Sequence, residues 1–159
     1  MNAPQRQPLD SGPDGRQAML AFQALVAANR DLAEVVTRVA DGILEAEGVT
    51  PGERSLLMLV RRHRSLTVPR LAEHKGVSRQ HVQVTANALS KKGLLEFRPN
   101  PAHKRSRLVA LTSEGVDLVK RIMAREGEVM TRVAARLDPE RTRIAAESLA
   151  RVLDLVREG

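Results

Sequence analysis

Between Arg61 and Arg107 the chain sets twelve Lys/Arg against two acids, Glu73 and Glu96, a net of +10. The remaining 14 basic residues face 17 acidic ones, a net of −3. All four histidines (His63, His74, His81 and His103) fall inside the basic stretch. Charge segregated in this way predicts a lobe that meets a polyanion. The chemistry is densest in two places. From Gly76 to Gly93 there is no acid, and the segment offers Ser78, Arg79, Gln80, His81, Gln83, Val84, Asn87 and Lys91. Arginine suits a bidentate contact with guanine, glutamine suits adenine, and the apolar Val84 can touch a thymine methyl. The second place is NPAHKRSR, residues 100 to 107, which crowds His103, Lys104, Arg105 and Arg107 together close to Arg98. Arginine at such a tip can enter the minor groove, where narrow A·T tracts concentrate negative potential. Either cluster alone is also what a solvated helix face or loop looks like. Their adjacency favours double-stranded DNA as the partner.

Other chemistries find less support. There is no cysteine, which excludes disulfides, thiolate zinc sites and thiol switches. The four histidines lack the i, i+4 spacing of a helical metal site, so no metal and no cofactor is expected. A Gly-rich phosphate loop, a nucleophile elbow and a converging carboxylate pair are all missing from the pattern, so the chain is not expected to be an enzyme. The opening MNAPQRQPLDSGPDGR is polar, carries three prolines and predicts a disordered tail, residues 1–16, without a signal peptide. The longest nearly apolar run, Ala18 to Ala28, is too short to cross a bilayer. A cytoplasmic protein with no membrane partner is expected.

The elements that must carry the basic lobe follow from hydrophobic period and punctuation. Residues 17–46 read as one long amphipathic helix, with Leu20, Ala24, Ala28, Leu32, Val35/Val36, Val39 and Ile43 at helical spacing and Gly48 as its stop. Thr50-Pro51-Gly52-Glu53 is a capping box that starts a second helix, running to about Arg62. Leu66-Thr67 is extended, and Pro69 suits the first turn of the short helix VPRLAEHK, which Gly76 ends. Ser78 then caps the helix SRQHVQVTANALSKK, stopped by Gly93, with Val82, Ala86 and Leu89 as its inward stripe. Helix, tight turn with glycine, helix is the helix-turn-helix pattern. Leu94–Arg98 and Arg107–Leu111 read as strands joined by a charged, proline-rich loop. Thr112/Ser113 and Asp138-Pro139 open two further helices. With aromatics at 1%, the core must be built from aliphatic side chains. The apolar faces of the end helices are generous for one small unit, which predicts pairing with a second copy.

TVPRLAEHKGVSRQHVQVTANALSKKGLLEFRPNPAHKRSRLVALTSEG, residues 67–115, resembles the winged helix-turn-helix of MarR-type bacterial transcription regulators. The matching features are the "LA…GVSRQ" turn, "LSKKGLL" at the end of the recognition helix, a basic wing and "LTSEG" opening the next helix. With the flanking helices the resemblance extends over about residues 17–157. It implies a mostly α (α+β) fold: a dimerisation helix at 17–48, a winged helix-turn-helix at 49–112 with its wing at 98–107, and dimerisation helices at 113–159. It further implies a homodimer with recognition helices in major grooves and wings in minor grooves. Members of the family are commonly repressors whose DNA affinity falls when a small molecule binds between the dimer and DNA-binding lobes; here Arg61, Arg62 or His63 are candidates to meet an anion. Two departures stand out. His103 occupies the place, two residues before the wing's Arg105, where the family usually has an acid. Val84 stands where many relatives carry a polar or basic residue, so no target sequence carries over. The alternative from another class is a winged helix that docks protein partners without specific DNA binding.

Overall fold

The computed structural model describes residues 13–103 and 105–158. Residues 1–12 of the expected tail, and Lys104 of the expected wing, lie outside the described residues. Six helices and three strands follow in the order α1 (Pro13–Ala46), α2 (Pro51–His63), β1 (Ser65–Thr67), α3 (Val68–Lys75), α4 (Arg79–Lys91), β2 (Leu95–Arg98), β3 (Leu108–Leu111), α5 (Ser113–Ala134) and α6 (Pro139–Glu158). Local punctuation sets most of these limits. The capping box at α2 is complete: Thr50 Oγ1 accepts from the Glu53 N–H, and Glu53 returns a carboxylate oxygen to the Thr50 N–H. Gly76 ends α3 in the left-handed region, at φ 63°, where a side chain would be strained. Helix α1 differs from expectation by starting at Pro13 rather than at residue 17. Proline tolerates the first helical position because the N–H it lacks is one that the helix leaves unpaired.

The strands form an antiparallel sheet in the order β1-β3-β2. Leu66 lies opposite Val109 on one side of β3, and Phe97 lies opposite the same Val109 on the other. The extended Leu66-Thr67 is therefore a third strand of the wing sheet. By contacts the chain divides into two units. Residues 39–137 enclose a core of Leu56, Leu57 and Val60 from α2, Leu71 from α3, Val82, Ala86 and Leu89 from α4, Leu95 and Val109 from the sheet, and Leu118, Val119 and Ile122 from α5. No aromatic residue is among its buried members. Each fully buried leucine contributes on the order of 2 kcal/mol through water released from apolar surface. The other unit combines α1 up to Arg38 with α6, and in α6 no residue is buried.

"LTSEG" acquires a physical reason in this frame. Thr112 Oγ1 donates to the Gly93 carbonyl at 2.6 Å and accepts from the Gly115 N–H at 3.0 Å, so it both caps α5 and clasps the end of α4's exit turn. A Cβ on Gly115 would lie 2.1 Å from the Leu94 carbonyl oxygen, closer than atoms can approach. Only glycine fits there.

Candidate nucleic-acid interface

Helix α4 is held at its start by Ser78, whose Oγ accepts from the His81 N–H at 3.2 Å. That bond occupies the Ser78 hydroxyl in capping. The first turn of α4 carries no acid, so the positive end of its dipole stands unneutralised beside Arg79. Burial of Val82, Ala86 and Leu89 sets the rotation of the helix and turns Arg79, Gln80, Gln83 and Asn87 outward.

Those four side chains form one wall of an open cleft of about 550 Å³. Val68 and Pro69, at the start of α3, contribute to its floor, and Phe97, Arg105, Ser106 and Arg107 of the hairpin complete it. The cleft thus joins the two clusters that the sequence singled out. No carboxylate among the described residues lines it, and three guanidinium groups do. Gln83 Nε2 donates to Asn87 Oδ1 at 2.9 Å, a pair that spans one turn of the exposed face and leaves Gln83 Oε1, its second N–H and the Asn87 amide nitrogen available to a base edge.

The hairpin tip is built from two successive turns. Asn100 Oδ1 accepts from the Ala102 N–H at 3.1 Å, and the Asn100 carbonyl accepts from the His103 N–H at 3.2 Å. The His103 carbonyl then accepts from the Ser106 N–H at 3.0 Å. Asn at the first position of a turn and Pro at the second suit this geometry. His103 is exposed, and its backbone is the pivot between the turns. Arg105 is exposed beyond it. Arg107 is engaged differently: its guanidinium lies 5.5 Å from the Phe97 ring centroid and donates to the Phe97 carbonyl. It braces the base of the hairpin while still edging the cleft.

The other expected residues lie outside the cleft. Ser78, His81, Val84 and Lys91 are exposed on α4, with Val84 at 62%. Arg98 is turned back onto Glu96, its Nε donating at 2.9 Å, which offsets part of its charge. Arg61 donates to the Met123 sulfur, and His63 stacks on His74 with centroids 4.7 Å apart. Lys75, pushed below its ordinary value by burial, donates to Ser55 Oγ at 2.5 Å. Among the described residues no three His, Asp or Glu side chains gather as a metal site. Val68, Pro69, Phe97 and Ser106 are lining residues that the sequence pattern did not single out. For Phe97 a signal existed: it is one of only two aromatics in the chain, and it lies ten residues before an arginine across a hairpin.

Comparison with known proteins fits this geometry. The profile of the MarR family matches residues 47–106, the stretch that contains α2, the helix-turn-helix and most of the hairpin. The chain is 38% identical over 129 residues to the uncharacterized protein Rv2011c of Mycobacterium tuberculosis, covering 81% of this chain and 90% of that one. It is 29% identical over 109 residues to the HTH-type transcriptional repressor MdtR of Bacillus subtilis, covering 69% of this chain and 70% of that one. Among solved structures, a mutant MarR from E. coli complexed with operator DNA shares the fold with a TM-score of 0.63 at 21% identity, over 84% of this chain and 96% of that one. A winged helix-turn-helix with a basic cleft, matched by this profile and these relatives, places the chain in the MarR family, whose members are transcription regulators and not enzymes.

Proposed function

We propose that the chain is a sequence-specific double-stranded DNA-binding repressor of transcription that acts as a homodimer in the cytoplasm. The observation that carries this reading is the cleft itself. Arg79, Gln80, Gln83 and Asn87 on α4 face Arg105 and Arg107 of the hairpin across a cavity that no carboxylate among the described residues lines. An α-helix fits the major groove, and arginine and amide side chains match the donor and acceptor pattern of its base edges. In this reading Arg105 follows the backbone into the adjoining minor groove, while the Arg107–Phe97 brace holds the base of the wing. The repressor named among the relatives, and the related fold seen on operator DNA, support the same reading.

The dimer rests on apolar surface. Leu20, Leu32, Val35 and Val36 of α1 and Ile144, Leu153 and Val156 of α6 are all exposed. A 20-residue amphipathic helix with no buried residue lacks the packing that stabilises helices in water, and a second copy supplies it. No helix among the described residues is long and apolar enough to cross a membrane, in keeping with a protein that works where the DNA is. The same reading includes loss of DNA affinity on binding a small anionic effector, which a thermal-shift screen of aromatic acids scored for release of DNA would identify.

Binding to a labelled duplex across a salt series tests the function. Counterion release by a dimer predicts a log–log slope of magnitude above roughly 5, and a flat response would sink the proposal. Arg105→Ala is expected to weaken binding by about 1–3 kcal/mol and to reduce the slope by about 2, one phosphate contact from each subunit.

A further inference from the structure

Lys92 is among the cations of the basic lobe that are turned inward rather than offered to a polyanion. Lys92 follows directly on α4 as its C-cap, and its Nζ lies 2.8 Å and 2.9 Å from the two carboxylate oxygens of Glu53. The same ammonium donates to the Gly48 carbonyl at 3.0 Å. Its hydrogen bonds therefore reach both the turn between α1 and α2 and the first turn of α2. Glu53 is 7% exposed, the only buried charged residue among those described, and it already accepts from the Thr50 N–H at 2.8 Å. Burial would push its carboxyl up; the hydrogen bond from Lys92, the bond from the Thr50 backbone and the Lys92 charge outweigh that and hold it below its ordinary value. The turn is gripped from the other side too. Glu47, its side chain 8% exposed, is held by Arg121 Nε at 3.1 Å and Arg125 Nη1 at 3.2 Å, both on α5.

We infer that Lys92 is a positioning residue, which ties the C-terminal end of the recognition helix to a braced turn and so sets the aim of the side chains at the helix's other end. The physical need for such a tie lies in the character of the core. The stripe of Val82, Ala86 and Leu89 sets the rotation of α4, but apolar contact is non-directional and supplies no polar bond that fixes the C-terminal end of the helix. A charge-assisted bond to a buried carboxylate has both direction and a fixed length. Helix α4 has 13 residues and is about 20 Å long. A small displacement at Lys92 is carried along it to Arg79 and Gln80, where base recognition tolerates little error. Lys91, its exposed neighbour, has no such partner among the described residues and stays free for phosphate. Two adjacent lysines thus divide into one that holds the helix and one that faces solvent.

This inference rests on the DNA-binding reading, and its test separates the two. The probe is a duplex that the full-length chain selects from a random-sequence pool, and the readout is affinity across a salt series. Lys92→Met is expected to weaken binding about tenfold with the salt slope unchanged, whereas Arg105→Ala lowers the slope by about 2. Glu53→Gln, which touches no DNA, weakens binding to a similar degree, and adding Lys92→Met to it costs little more. Lys92→Arg restores most of the affinity. All variants are measured where their melting curves show them folded, beside Val119→Ala, a core variant that lowers the melting temperature and leaves the affinity of the folded protein unchanged. A slope reduced by about 2 in Lys92→Met, with Glu53→Gln neutral, would make Lys92 an ordinary phosphate contact and overturn the inference. If the unaltered chain selects no duplex, the DNA-binding reading fails first. Amide exchange then still decides the tie: unchanged protection of the last turn of α4 in Lys92→Met overturns it, and faster exchange there upholds it.

Discussion

The two units of the chain solve the same problem, hiding apolar surface, in opposite ways. Residues 39–137 bury theirs internally, in a core to which α2, α3, α4, α5 and the sheet all contribute. The unit formed by 13–38 and α6 leaves Leu20, Leu32, Ile144 and Val156 in the open, with only side chains such as Leu25, Leu149 and Val152 partly covered. One unit is stable by its own packing and presents charge. The other presents grease, and its stability is bound up with what covers it. The contrast teaches that basic character and apolar character are assigned to separate parts of the chain; in the function proposed above they meet separate partners, DNA and a second copy.

The sharpest way to break this contrast is in the core. Leu56→Ala, at a fully buried position, is expected to lower stability by about 2–5 kcal/mol, read by thermal or urea unfolding and independent of protein concentration. Next comes Leu32→Asp, on the exposed face of α1. It should weaken self-association by on the order of 2 kcal/mol, seen as a loss of mass in light scattering upon dilution, while the core unit keeps its circular dichroism. Unchanged mass would remove Leu32 from the interface. A smaller effect follows from acid. The Glu53 carboxyl titrates lower folded than unfolded, so its contribution is complete above the ordinary glutamate value and fades as pH falls through the folded value. The unaltered chain should therefore lose more stability between about pH 5 and pH 3 than Glu53→Gln does; parallel curves would refute the assignment. Smallest of all is Arg38→Ala, which removes an exposed i, i+4 pair with Glu34 on α1 and should cost at most about 0.5 kcal/mol.

Features that obey local rules were legible before the structure. The Thr50 capping box, the Ser78 N-cap, the Gly76 stop and the inward stripe of α4 depend on residues within a turn or two of each other, and each appears as expected. Pairings across the fold were not legible. Arg107 on Phe97, Lys92 on Glu53 and Arg121 on Glu47 join residues 10, 39 and 74 apart, and no periodicity encodes which cation meets which partner. The sequence singles out Lys91 and not Lys92, but the partner that holds Lys92 is visible only in the fold. Strand β1 was readable as extended chain, but its place beside β3 required the sheet. His103 was noticed because an acid is usual there. The geometry around it consists of backbone turns, which do not depend on its imidazole.

Gly115 carries a consequence for how the chain tolerates change. Its missing side chain is the space occupied by the Leu94 carbonyl, at the point where the exit from α4 becomes the first strand of the wing. Even a single methyl group there requires that carbonyl, at the root of the hairpin, to shift. In a saturation-mutagenesis map, position 115 should therefore stand out as a site that rejects every one of the nineteen alternatives, as unforgiving as any leucine at the centre of the molecule.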